Sequence, residues 1–101
     1  MTLPTRLVLE ALLAEPTREL YGAEIGNLAG LPSGTVHPIL ARLEGAGWLE
    51  SRWEAINPRL EGRPARRYYG LTGGGLEAAR AALARARRPT TWPQARPAQP
   101  T

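Results

Sequence analysis

The chain has no cysteine and no phenylalanine, and only one methionine and one histidine. Lysine and aspartate are absent too: all 13 cations are arginine and all 9 acids are glutamate. Each absence closes a route. Without cysteine there is no disulfide, no zinc–thiolate site and no thiol chemistry. One histidine and scattered glutamates do not make the convergent set that general acid–base or metal catalysis needs, so neither an enzyme nor a cofactor is expected. No apolar run approaches the ~18 residues of a membrane span. The first apolar segment is short, carries acids and has no cleavage pattern, which predicts a protein without a signal peptide. The bias to Arg, Glu, Ala, Gly and Pro resembles that of a GC-rich bacterial genome, and the expected location is the bacterial cytoplasm.

What remains is enough for one small domain. The 101 residues are 43% hydrophobic, so a packed core is feasible, but a thin one. A second subunit is the natural further source of apolar burial. The net charge of +4 is unevenly spread. Residues 1–50 hold 3 Arg and 6 Glu, a balance of −3; residues 51–101 hold 10 Arg and 3 Glu, a balance of +7. The basic half is the candidate surface for an anionic partner.

The periodicity predicts four helices and one hairpin. A first helix spans Leu3 to Ala14, with Pro4 in its first turn and Val8, Leu9, Ala11, Leu12 and Leu13 on its apolar face. A second runs from Gly22 to Ala29 with Ile25 and Leu28 inward, and Gly30 stands where a helix C-terminus favours positive φ. A third begins at Ser33, read as its N-cap. Val36, Ile39, Leu40 and Leu43 are buried at i, i+3, i+4, i+7, which leaves Thr35, His37, Ala41 and Arg42 outward. Pro38 removes one backbone bond there, a smaller loss near the helix start than at its middle. Two alternating strands follow, around Leu49–Glu54 and Arg66–Leu71, with Trp48 and Trp53 read as packing residues and Tyr69 and Leu71 as core. Ala55 to Ala65 forms a long, basic, turn-rich tip. The last helix, Gly73 to Arg88, repeats Leu76, Ala79, Leu83 and Ala86 in a short heptad-like seam, the expected dimerisation surface. From Pro89 the chain carries four prolines without apolar periodicity, and an extended or disordered tail is expected, dispensable for folding.

The fold class is therefore mainly α with a small β-hairpin wing, an α+β winged helix-turn-helix at 1–72. A dimerisation helix at 73–88 and a tail at 89–101 follow it. In this architecture the third helix enters the major groove of double-stranded DNA and the wing meets the neighbouring backbone. Ser33, Gly34 and Thr35 let backbone and hydroxyl donors approach a phosphate at the helix start. His37 and Arg42 have donors for bases or phosphates. Arg59, Arg63, Arg66 and Arg67 in and beside the wing carry neutralising charge. Each has a plainer alternative: Ser33 as a cap, Thr35 and His37 as solvated or packing residues, the arginines as a solvated loop.

The runs Tyr21-Gly22-Ala23-Glu24-Ile25, Ser33 to Glu44 with Gly47, and Gly62 to Thr72 with Gly75 resemble the signatures of PadR-type regulators. The similarity covers about Leu7 to Gly75, and Pro38 stands where that family commonly has proline. The resemblance implies a homodimeric transcriptional repressor with Tyr21, Ser33, Thr35, His37 and Arg42 facing DNA. It also implies a small aromatic inducer at the dimer interface, with Trp92 of the tail a stacking candidate. His37 stands where the family usually has tyrosine. The alternative function is a winged-helix fold reused for protein interaction, for which acids near the DNA face (Glu19, Glu24 and Glu44) speak.

Overall fold

A computed structural model describes residues 1–87. Their elements run α1 (Leu3–Ala14), β1 (Leu20–Tyr21), α2 (Gly22–Ala29), α3 (Ser33–Gly45), β2 (Leu49–Trp53), α4 (Pro58–Glu61), β3 (Arg67–Leu71) and α5 (Gly73–Arg87). The tail from Pro89, and Trp92 with it, lies outside the described residues.

The helix ends follow local chemistry. Thr2 caps α1 by accepting from the Thr5 N–H (3.3 Å). Gly30 closes α2 at φ +72°, and the Leu31 N–H returns to the Gly26 carbonyl (2.9 Å). At α3 the expectation needs correction. The N-cap is Pro32, with no side-chain cap, and Ser33 is the first helical residue. The Pro32 carbonyl accepts from Thr35 and Val36 (2.9 and 3.1 Å), so the first turn closes without a hydroxyl. The helix continues through Pro38.

The three strands form an antiparallel sheet in the order β1-β3-β2. Leu20 and Tyr21 pair with Tyr69 and Tyr68, while Leu49 to Trp53 pair with Leu71 back to Arg67. Alternation sends Leu49, Tyr69 and Leu71 to one face, with Leu20 opposite Tyr69. There they meet the helices in one core with Val8, Leu9, Leu12, Ile25, Val36, Leu40 and Leu43. Two large side chains expected inside are outside: Leu28 is 60% and Trp53 is 61% exposed. Leu28 lies on the solvent side of α2. Trp53 ends β2 beyond the helical layer, where the Arg67 guanidinium covers its ring (5.2 Å).

Helix α5 packs on α1, and this changes the reading of its seam. Ala79 and Leu83 are buried in the chain's own core, so these two are not free to face a second subunit. Leu76 is half-buried and Ala86 exposed. The corner that leads into α5 is tight. The Thr72 hydroxyl donates to the Gly47 carbonyl (2.8 Å) and accepts from the Gly75 N–H (2.8 Å), while the Thr72 N–H donates to the Trp48 carbonyl (3.0 Å). Gly75 is buried against the Trp48 backbone, where a Cβ would overlap the carbonyl oxygen.

Candidate nucleic-acid interface

The outward side of α3 is narrow and unacidic. Ser33, Gly34, His37, Pro38, Ala41 and Arg42 are exposed and Thr35 is half-buried. Gly34, Pro38 and Ala41 are small, which leaves the helix backbone open to close approach. The acid of this helix, Glu44, turns sideways: its carboxylate accepts from the Ser51 hydroxyl on β2 and faces Arg67 on β3 (3.7 Å). His37 and Arg42 occupy opposite flanks. Arg42 reaches toward Thr5 at the start of α1 (3.5 Å). His37 lies on the wing side, lining a pocket of about 380 Å³ with Tyr21, Gly22, Trp53, Arg66, Arg67 and Tyr69. The imidazole sits so close to α2 that a Cβ on Gly22 would stand 2.9 Å from its Cε1.

Tyr21 ends β1 and opens α2. Its N–H donates to the Glu24 carboxylate (3.2 Å), one half of a capping box, and Glu24 also pairs with Arg18 (3.0 Å). The Arg66 guanidinium stacks over the Tyr21 ring at 4.2 Å, and the Tyr68 ring meets Tyr21 edge-on at 5.6 Å. Arg52 completes the row, 5.1 Å over Tyr68 and paired with Glu19 (2.7 Å). The acids that the sequence put near the DNA face, Glu19, Glu24 and Glu44, are thus each engaged by an arginine of the chain.

The wing arginines, alike in sequence, differ in structure. Arg63 Nη1 and Nη2 donate to the two oxygens of Glu54 (2.7 and 2.9 Å), and the Arg66 N–H donates to Glu54 Oε1 (3.2 Å). The paired guanidinium is the main reason the Glu54 carboxyl is lowered to about 2; partial burial works against it, and the Arg66 N–H adds to it. Arg63, expected among the phosphate-neutralising arginines of the wing, is thus also a brace across the base of the wing tip. Arg59, on α4, is exposed and has no acidic partner among the described residues. The one-turn helix α4 and the strand β1 were both missed in the sequence. Asn57-Pro58 before Gly62 is a signal for the first: cap, first-turn proline and left-handed terminus. No group of three potential metal ligands occurs among the described residues, and no helix there is long and apolar enough to cross a membrane.

Three helices, a flanking sheet and a third helix with no acid on its outward side, set beside a basic wing, meet their relatives here. The sequence model of the transcriptional regulator PadR-like family matches residues 9–81. The chain belongs to the PadR-like family. It is a family of transcriptional regulators rather than enzymes, and the PadR-like chain is a winged-helix DNA-binding regulator. Among solved structures it is similar to a PadR family transcriptional regulator from Eggerthella lenta, with 28% identity over 79% of this chain and 70% of that one, TM-score 0.62. The PcaV transcriptional regulator from Streptomyces coelicolor is 29% identical over 82% of this chain and 55% of that one, TM-score 0.64. Reduced AbfR bound to DNA is 28% identical over 88% of this chain and 60% of that one, TM-score 0.63. The PadR-like chain thus spans only part of the length of these relatives. No curated protein matches it.

Proposed function

We propose that the chain is a sequence-specific repressor that binds double-stranded DNA as a homodimer. The observation that carries this reading is the outward side of α3, where Gly34, His37, Pro38, Ala41 and Arg42 are exposed while Glu44 is drawn aside to Ser51 and Arg67. A helix so cleared suits the major groove, where the phosphate field would penalise an outward carboxylate. In this reading His37 and Arg42 meet base edges from the two flanks of the helix. Ser33, Gly34 and Thr35 meet phosphate at its start. Tyr21, held by Arg66 and Tyr68, and the cations Arg59 and Arg66 meet the backbone, while Arg63 acts by holding the wing. The DNA in the AbfR structure supports the same partner for this chain.

The dimer is proposed through the outer side of α5, where Leu76 and Ala86 flank the buried Ala79 and Leu83. A small aromatic inducer at that interface belongs to the same proposal. Selection of bound duplexes from a random pool tests the whole. A two-fold symmetric motif with half-sites about one helical turn apart is expected. Retention without any sequence enrichment would leave the protein-interaction reading in its place.

A further inference from the structure

We propose that Leu60, carried on α4 at the tip of the wing, is an aliphatic wedge for the minor groove of duplex DNA. The proposal rests on the DNA-binding reading above and adds a contact to it. Leu60 is 83% exposed, the most exposed large hydrophobic side chain among the described residues. A single exposed leucine is ordinarily unremarked; the scaffold under this one sets it apart. Asn57 Oδ1 accepts from the Arg59 N–H (3.0 Å), and the Leu60 and Glu61 N–H groups return to the Asn57 carbonyl (3.1 and 3.0 Å). At the other end Gly62, at φ +71°, and Arg63 both donate to the Pro58 carbonyl (2.9 and 3.3 Å). The two-bond clamp of Arg63 on Glu54 fixes the base of the same loop. A bulky apolar side chain is thus presented to water on a turn already ordered, so that little conformational freedom remains to be lost on binding.

The neighbours point to nucleic acid. Arg59 stands beside Leu60 without an acidic partner among the described residues, and the acid of the turn, Glu61, lies in the field of Arg63, whose charged form it supports. Residues 51–67 hold Arg52, Arg59, Arg63, Arg66 and Arg67 against Glu54 and Glu61, a balance of +3. A protein partner would need a contiguous patch of several hundred Å². One aliphatic tip on a single helical turn, with a cation next to it, instead suits a groove about 6 Å wide. Insertion of an apolar side chain between base steps there bends the duplex.

The test uses the full chain and an end-labelled duplex that the wild type retains from a random pool. Energy transfer between the ends reads bending, and a salt series reads phosphate contacts. Leu60→Ala is expected to weaken binding about tenfold, as for burying roughly half a leucine side chain, with a smaller bend and an unchanged salt slope. Leu60→Met retains both affinity and bend. Arg59→Ala lowers the salt slope by about 1 and leaves the bend. Leu60 stands apart from the core cluster, so the melting temperature of Leu60→Ala stays at that of the wild type. A Leu60→Ala chain that binds within twofold and bends alike overturns the wedge and leaves the DNA-binding reading standing. Failure of the wild type to retain any duplex overturns both.

Discussion

Two adjacent glycines in the first turn of α5 are expected to respond oppositely to alanine. Gly74 has open space around it, with nothing within 4 Å of the point where a Cβ would stand, whereas a Cβ on Gly75 would overlap the Trp48 oxygen and lie 2.6 and 2.7 Å from Trp48 C and Cα. Carbon atoms pack at about 3.5–4.0 Å, so Gly75→Ala must drive α5 and the start of β2 apart by roughly 1 Å. That corner is held by Thr72, through the Gly47 and Trp48 carbonyls and the Gly75 N–H. Overpacking costs about 1–3 kcal/mol and each hydrogen bond stretched about 0.5–1.5 kcal/mol, offset by roughly 1 kcal/mol from the better helix former. The net, about 2–6 kcal/mol, is a large share of the ~5–15 kcal/mol that holds such a domain together. It corresponds to a melting temperature lower by roughly 10 °C or more. Gly74→Ala should instead gain up to about 1 kcal/mol, from helix propensity and a less flexible unfolded chain. Thermal and urea unfolding followed by circular dichroism measure both. A Gly75→Ala chain as stable as wild type, or a Gly74→Ala chain that falls as far, refutes the close-approach reasoning.

Further outcomes follow from the same contacts. Leu83→Ala, at a position 3% exposed in the α1–α5 core, should cost about 2–5 kcal/mol of stability in denaturant unfolding; a loss of dimer with unchanged unfolding would return Leu83 to the partner surface. The Glu54 carboxyl is held down to about 2 by Arg63, so its stabilisation is present above its ordinary value of 4.5 and is lost as pH falls toward 2. Wing amides near Arg66 should therefore keep their exchange protection at about pH 5 and lose it in that lower window, and Glu54→Gln should remove the dependence. Gly22→Ala, which pushes against the His37 ring, should weaken DNA binding several-fold while leaving the melting temperature near that of wild type, since the ring tip can move; competition binding and thermal unfolding separate the two effects.

The helices α1 and α3 were legible because each has a long apolar face, and the short α2 because Ile25 and the stop signal Gly30 mark it. The strands β2 and β3 were legible from Leu49 and Tyr69, the buried residue of each, and from the turn residues between them, although burial alternates only in part along either strand. What escaped is what periodicity cannot reach. A two-residue strand such as β1 has no period, and it forms because the chain leading into α2 lies along β3. A one-turn helix such as α4 carries only cap signals. Trp53 and Leu28 read as apolar, but whether a side chain at an element's edge is covered depends on where the neighbouring layer stops. At the candidate site the third-helix residues could be named from their spacing alone. The division of labour among the wing arginines could not, because the Glu54–Arg63 clamp joins residues nine apart across a turn whose shape is set by α4. The same holds for Glu44, whose sideways pairing depends on the sheet register that brings Ser51 and Arg67 alongside α3.

The central claim is that α3 reads bases while the wing arginines contact backbone, and a comparison of Arg42→Ala with Arg59→Ala tests it most directly. Both variants are titrated on a selected duplex and on its scrambled counterpart at two salt concentrations. Arg42→Ala is predicted to lose roughly 1–3 kcal/mol on the selected duplex alone, compressing the ratio of specific to non-specific affinity. Arg59→Ala is predicted to weaken both duplexes about equally and to lower the salt slope by about 1. Equal losses on both duplexes for Arg42→Ala, or no loss for either variant at low salt, would contradict a third helix seated in the major groove.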